Sequence, residues 1–293
     1  KGVLKDGRKV VIKIQYPGIE EIIKSDLKNL KILFKILISS FLKINIDKIW
    51  EEVNSQLINE LDYEKELNNQ NRFYEYYKDS EIAIIPKAIK ELSTKRVLTS
   101  EMLLGDDIYI CKKQSLAKRS LWSKNLFTLF LEQTFKFNFL HSDPNVGNFA
   151  FLENGKIIIY DFGSVKELPK EFAESLKKIF FLIQKHEFSS LPQAIKDLGI
   201  YHSGGKVLED EILTNYAKLV YPVFAEEEYS FEGERFVVKE MMELKMNYTW
   251  KLMDIQVPSD LIFINRTLIG LTGNLNILQA KVNIKELLKP YEN

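Results

Sequence analysis

The sequence predicts an α+β chain in two parts: a small, strand-containing part over residues 1–103 and a larger, mostly helical part over 104–293. Three observations predict it. The β-branched run V-V-I-K-I at Val10 to Ile14 and two later short runs, 82–85 and 96–100, all fall in the first hundred residues. Beyond Gly105 the apolar residues recur mainly at helical spacing. With 293 residues, 45% hydrophobic and 28% charged, the chain is long enough and apolar enough for two lobes with separate cores.

In chain order, Asp6-Gly7 is a turn signal between two apolar stretches, so the start reads as a strand hairpin. Pro17-Gly18 breaks it. Residues 19–46 read as a helix with Leu27, Leu30, Leu33, Ile36 and Leu37 on one broad face. A second helix is predicted over 49–77, with Val53, Leu57 and Leu61 as its stripe. The strand over 96–100 leads into Glu101-Met102-Leu103. A strongly apolar helix over 121–140 then ends at His141. Residues 149–152 and 156–160 flank Asn154-Gly155 as a second hairpin. From Pro169 onward helices dominate, with breaks at Gly204-Gly205 and Pro258.

Several function classes drop out on composition. Lys plus Arg and Asp plus Glu number 41 each, and a formal charge of zero is not that of a dedicated nucleic-acid binder. The single cysteine, Cys111, excludes an intrachain disulfide, fits a reducing compartment and reads as structural. No uninterrupted apolar run reaches the ~18 residues of a spanning helix; the nearest, 32–42, is broken by Lys35. Lys24, Lys28, Lys31, Lys35 and Lys43 punctuate the first long helix, a pattern shared by interfacial membrane helices and by helices packed on a core. The chain opens inside a strand-turn-strand at Lys1, so the small lobe reads as truncated.

Four features carry chemistry. Lys13 ends V-V-I-K on a strand, where an apolar stem can present one fixed ammonium to a polyphosphate. E-L-D-Y-E-K-E over Glu60 to Glu66 puts Asp62 and Glu66 four residues apart on a predicted helix, and one acid turned inward could hold Lys13. H-S-D-P-N-V-G-N over His141 to Asn148 gives Asp143 and Asn148 the D-x-x-x-x-N spacing of a kinase catalytic loop: a carboxylate to orient a nucleophile and an amide oxygen for Mg²⁺. D-F-G at Asp161 to Gly163 follows a strand, 18 residues after Asp143, and places a carboxylate for Mg²⁺ on a nucleotide. His141 lacks a ligand set and reads as structural. Only five residues separate Gly163 from Pro169, too few for the activation segment on which protein kinases dock peptides. A small molecule, a lipid or water is therefore the expected phosphoryl acceptor.

Together, L-K-D-G-R-K-V-V-I-K-I-Q-Y-P-G, N-E-L-D-Y-E-K-E-L-N, H-S-D-P-N-V-G-N-F, Y-D-F-G-S-V-K-E and V-P-S-D-L-I-F-I-N-R-T-L-I-G-L resemble the UbiB/AarF family of atypical kinases. The resemblance implies a two-lobed protein-kinase-like fold, ATP and Mg²⁺ as cofactors, and ATPase or phosphotransfer activity supporting isoprenoid-quinone (coenzyme Q) biosynthesis at a membrane. It implies Lys13 on the α/β-phosphates with Glu66 as ion-pair partner and Asp143 as the catalytic-loop aspartate. Asn148 and Asp161 become the Mg²⁺ ligands, Glu60 and Asp62 the family's Glu-x-Asp motif, and Glu101, Met102 and Leu103 the hinge beside adenine. The family's Lys-x-Gly-Gln motif and Ala-rich nucleotide loop would precede Lys1. Expected partners are ATP, a small-molecule or lipid acceptor, quinone-biosynthesis proteins and a membrane surface. The expected location is cytoplasmic, peripheral to the membrane, with mitochondrion or plastid as the alternative. A rival reading is a pseudokinase-like module that uses nucleotide to regulate lipid or partner contacts.

Overall fold

A computed structural model describes residues 1–38, 61–232, 237–249, 251–252 and 254–292. The chain forms two compact units. Unit 1 comprises Lys1–Asp79, Ile84–Leu104 and Tyr160–Ser164; unit 2 comprises Ser80–Ala83, Gly105–Ile159 and Val165–Asn293.

In unit 1, strands β1 (Gly2–Val3) and β2 (Lys9–Ile14) pair antiparallel around the predicted Asp6-Gly7 turn. Gly7 takes φ +88°, a conformation that glycine adopts without cost, and Asp6 accepts hydrogen bonds from the backbone and side chain of Arg8. Helix α1 spans Ile19–Ile38. Its predicted apolar face is uneven: Leu27 is buried, whereas Leu30 is half exposed. The rest of the proposed 19–46 helix, with its interfacial pattern, lies largely outside the described residues and side chains.

Of the second predicted helix, 49–77, residues 49–60, with Val53 and Leu57, lie outside the described residues, and the described part is not helical at Leu61 and Asp62. Helix α2 is Tyr63–Tyr77, and Asp62 is its N-cap, its carboxylate accepting the amides of Glu64 and Lys65 at 3.1 Å each. A capping carboxylate satisfies amides that have no partner within the helix, so the chain enters α2 at Asp62 rather than continuing from upstream. Tyr63, Glu66, Leu67, Gln70, Phe73 and Tyr77 form its buried stripe. Strand β3 is Ala83–Ile84. Strand β4 (Val97–Glu101) pairs antiparallel with β2, setting Lys13 opposite Leu98. Tyr63, Leu67, Ala88 and Leu98 pack as one cluster between α2 and the sheet.

From Gly105 onward, unit 2 continues with α3 (Ile108–Cys111) and α4 (Leu116–Leu131). Cys111 is fully buried, as its structural reading expects. The predicted helix to residue 140 stops earlier: α4 gives way to a π-helical turn, Glu132–Lys136, and then to β5, Phe139–His141. The reason is local. Asn138 adopts φ +50° and donates its side-chain amide to the Thr134 carbonyl, which closes the turn. Phe139, Leu140 and His141 then pair with Glu167, Lys166 and Val165 of β8 (Val165–Glu167). Between them lies the predicted hairpin, β6 (Phe149–Phe151) and β7 (Ile157–Ile159), turning at Gly155 with φ +91°. Trp122 and Asn125 of α4 tie it down through the Leu152 and Gly155 carbonyls at 2.8 and 2.9 Å.

The remainder is helical, as predicted: α5 (Lys170–Gln184), α6 (Leu191–Asp197), α7 (Asp210–Ala225), α8 (Val237–Asn247), α9 (Ser259–Leu278) and α10 (Ile284–Leu288). Short strand pairs join Tyr201–His202 to Ile255–Gln256 and Tyr229–Ser230 to Lys281–Val282. Among the described residues, α9 alone is long and apolar enough to cross a membrane by length and composition. It is tied to the rest of unit 2: its Asp260 pairs with Lys166 at 2.9 Å, and Arg119 donates to the Leu278 and Gln279 carbonyls at its C-terminal end.

Candidate functional site

The chemistry-bearing residues fall into two sets, one in each unit. In unit 1, β2 carries Lys13 and α2 carries Glu66 on its buried stripe. Lys13 Nζ lies 3.0 and 2.9 Å from the two Glu66 carboxylate oxygens and 3.1 Å from Asp161 Oδ2. The ammonium also sits over the Tyr63 ring, 5.1 Å from its centroid. Glu66 is only 2% exposed, so the ion pair that the family resemblance implies is a buried one. Asp62 does not share that role; it caps the helix that aims Glu66. Glu60 lies outside the described residues.

Asp161 is held from two sides, since its Oδ1 accepts the Gly163 amide at 2.9 Å. Phe162 is fully buried against Phe73 of α2, ring centroids 5.1 Å apart, and its carbonyl accepts the Asn69 amide at 3.0 Å. The aromatic residue of D-F-G is thus the anchor that sets the height of Asp161. A Cβ on Gly163 would come within 3.3 Å of the Asp161 carboxylate, so a side chain there would crowd the turn.

Electrostatics follow the geometry. Burial lowers the affinity of Lys13 for its proton, but the Glu66 and Asp161 carboxylates outweigh it and hold the ammonium charged well above the ordinary lysine range. Burial, reinforced by the neighbouring Asp161 charge, pushes the Glu66 carboxyl up despite Lys13. One ammonium facing two carboxylates leaves one surplus negative charge when both acids are ionised. A divalent cation would offset that charge.

The expected hinge residues are partly occupied within unit 1. Glu101 and Met102 donate their amides to the Lys87 and Lys9 carbonyls, Glu101 Oε2 accepts the Lys87 amide, and the Leu103 carbonyl accepts the Tyr160 hydroxyl at 3.2 Å. Any adenine contact from this segment must use its remaining amide and carbonyl groups.

In unit 2, β5 delivers the chain into the loop after His141. His141 and Ser142 are buried, and the His141 amide donates to Gln133 of the π turn at 3.0 Å. Asn145 Oδ1 accepts the Gly147 amide at 2.9 Å and starts the single 3₁₀ turn, Val146–Asn148, that returns Asn148 to Asp143. There Asn148 Nδ2 donates to Asp143 Oδ2 at 2.7 Å. With its NH₂ anchored, the amide offers its carbonyl oxygen as a ligand, which fits a hard cation such as Mg²⁺. Among the described residues no group of three or more His, Cys, Asp and Glu could hold a metal.

Two partners of this loop escaped the sequence reading. Arg266 of α9 donates to Asp143 Oδ1 at 3.2 Å, and Asn274 donates to the Pro144 carbonyl at 3.1 Å. The one available signal was polar residues at helical spacing inside a helix otherwise rich in Leu and Ile.

A strand lysine paired with a helix glutamate and a D-F-G aspartate in one unit, and a D-x-x-x-x-N loop in the other, define the kinase-like class. Comparison bears this out: residues 1–194 match the model of the ABC1 atypical kinase-like domain, and the chain belongs to that family. It is similar to the probable serine/threonine-protein kinase abkA of Dictyostelium discoideum, 35% identical over 190 residues, covering 59% of this chain and 33% of that one. It is also similar to the mitochondrial atypical kinase COQ8B of Danio rerio, 31% identical over 198 residues, covering 67% of this chain and 32% of that one. The chain therefore spans about a third of the length of these curated relatives. In structure it resembles Rv3197 of Mycobacterium tuberculosis, solved in complex with erythromycin, with a TM-score of 0.77 and 24% identity over 97% of this chain and 71% of that one. That likeness establishes the kinase-like fold.

Proposed function

We propose that this chain is the Mg-ATP-dependent part of an atypical kinase or ATPase that supports isoprenoid-quinone biosynthesis. The observation that carries the reading is the Lys13–Glu66–Asp161 triad: a buried glutamate fixing a strand lysine, with surplus negative charge at the D-F-G aspartate. Lys13 neutralises phosphate oxygens. Asp143 orients the attacking group, and Asn148 and Asp161 supply oxygen ligands to Mg²⁺, which when bound offsets charge on the phosphates. A scaffold without chemistry has no physical need for all four groups. The quinone assignment and a mitochondrial location rest on relatives such as the zebrafish COQ8B, whose name gives that compartment.

The acceptor is a small molecule, a lipid or water. After Gly163 the chain enters β8 within two residues, pairs back onto β5, and starts α5 at Lys170. No stretch remains between them to form a peptide-docking platform.

The test is a thermal-shift titration with Mg-ATP on wild type and Asp161→Asn. Nucleotide at ~100 times its Kd stabilises by about 2.7 kcal/mol. A magnesium-dependent shift in wild type that disappears in the variant supports the reading, and phosphate release then separates turnover from regulated binding. Equal shifts in both proteins, or shifts indifferent to magnesium, would refute it.

A further inference from the structure

Arg266, Gly270 and Asn274 are spaced by four, so they lie along one face of α9. Between them they meet two successive residues of the Asp143 loop. Arg266 Nη2 donates to Asp143 Oδ1 at 3.2 Å. Gly270 touches the Pro144 ring so closely that a Cβ there would overlap it. Asn274, itself buried, donates its side-chain amide to the Pro144 carbonyl at 3.1 Å. All of these contacts lie in unit 2, and α9 lies beyond residues 1–194, which match the family model.

We propose that this face of α9 is the positioning element of the Asp143 loop. Arg266 fixes the carboxylate, and Gly270 with Asn274 fixes the backbone just after it. The inference rests on the reading that Asp143 acts in phosphoryl transfer. With Asn148 on Oδ2 at 2.7 Å and Arg266 on Oδ1, both oxygens are held and rotation about the Cβ–Cγ bond is stopped. Each oxygen keeps a further lone pair. The Asp143 side chain is 31% exposed, so the carboxylate is fixed yet still open to a nucleophile. Arg266 thus acts through Asp143 and is a positioning residue. A guanidinium suits this task because its planar donors define a direction as well as a charge.

Positioning predicts a split between turnover and binding. In Arg266→Gln, kcat for Mg-ATP falls about 10²-fold, the scale of a misplaced reacting group, while KM for ATP stays at the wild-type value. Arg266→Lys, which keeps the charge but not the fork, recovers part of kcat. A second measurement needs no activity: melting temperatures of wild type, Arg266→Gln, Asp143→Asn and the double variant form a cycle. The pairing predicts that the double variant's shift differs from the sum of the single shifts. Wild-type kcat in Arg266→Gln, a KM that rises in step with lost kcat, or additive shifts in the cycle would each overturn the proposal. A wild-type chain that neither binds nor turns over Mg-ATP would refute the ATP reading instead, and the cycle alone would then decide the pairing.

Discussion

Replacing Lys13 by Met tests the unit 1 triad, because it removes the ammonium while keeping an unbranched apolar stem. Glu66 is 2% exposed and loses two hydrogen bonds, at 2.9 and 3.0 Å, leaving a buried carboxylate beside Asp161. Breaking a fully buried ion pair costs roughly 3–5 kcal/mol. Here the Lys13 and Asp161 side chains are 40% and 38% exposed, so water screens part of the loss. A cost of about 2–3 kcal/mol is expected, between that figure and the ~1–3 kcal/mol of an unsatisfied buried acceptor. At roughly 2–4 °C per kcal/mol, the melting temperature at pH 7.5 drops by about 4–12 °C. The deficit depends on pH, and the sign is fixed by Glu66. Burial first, and Asp161 second, already raise its folded-state pKa above 4.5; removing Lys13, which lowers it, raises it further. A raised acid is penalised at high pH and relieved as it takes up a proton. The gap between wild type and variant is therefore widest at neutral pH and narrows as pH falls toward 4.5. Differential scanning fluorimetry from pH 5 to 8 measures it. A deficit that stays constant across that range, or no deficit, would show that Lys13 does not neutralise Glu66.

Two further outcomes follow from groups in unit 2. His202 lies 2.7 Å from Asp254 and 3.1 Å from Glu209, and the hydrogen bonds its ring donates to Asp254, and then to Glu209, hold its pKa above 6.5. A raised histidine stabilises the folded state fully below 6.5 and loses that contribution as pH rises through the folded value. Melting temperature should thus fall between pH 6.5 and 9 in wild type and more weakly in His202→Gln; equal slopes would refute the pairing. Cys111 is fully buried, and burial, with Asp106 and Asp107 nearby, pushes its thiol up to about 12. Iodoacetamide at pH 8 should leave it unmodified until the protein unfolds, and rapid labelling of the native chain would contradict its structural role.

Much of the fold was legible because its signals are local. Asp6-Gly7 and Asn154-Gly155 mark the two hairpins, and both appear where turn chemistry requires a positive φ. Lys13, Glu66 and Asp161 could be named because each sits in a compact motif, although their convergence within one unit could not be read from spacing alone. Where the reading failed, a polar side chain had overruled apolar periodicity. Asp62 ended a predicted helix by capping α2, and Asn138 ended another by closing the π turn on Thr134. In both places the hydrophobic pattern continues through the break, so a search for period 3.6 runs past it. Arg266 and Asn274 were missed for the converse reason: their meaning lies in a loop more than a hundred residues away.

The composition of α9 makes sense in that light. By apolarity and length it resembles a spanning segment, yet Phe263, Ile264, Leu271, Leu275 and Leu278 are buried within unit 2. Three of its polar residues serve separate contacts. Asp260 holds Lys166 of β8, the strand that follows D-F-G, whereas Arg266 and Asn274 hold the Asp143 loop. Lys166 also lies over the Phe263 ring at 4.9 Å, so β8 is gripped by charge and by aromatic contact from the same helix. One apolar helix thus bonds both the catalytic-type loop and the strand after D-F-G, at residues, Pro144 and Lys166, that are 22 positions apart in sequence. An apolar face is what lets α9 keep its rotation fixed in the core. Fixed rotation, in turn, lets residues at four-residue spacing act on one loop, since turning the helix by one residue would carry Arg266 and Asn274 off Asp143 and Pro144 together. The core residues of α9 and its polar stripe are therefore two requirements of one geometry.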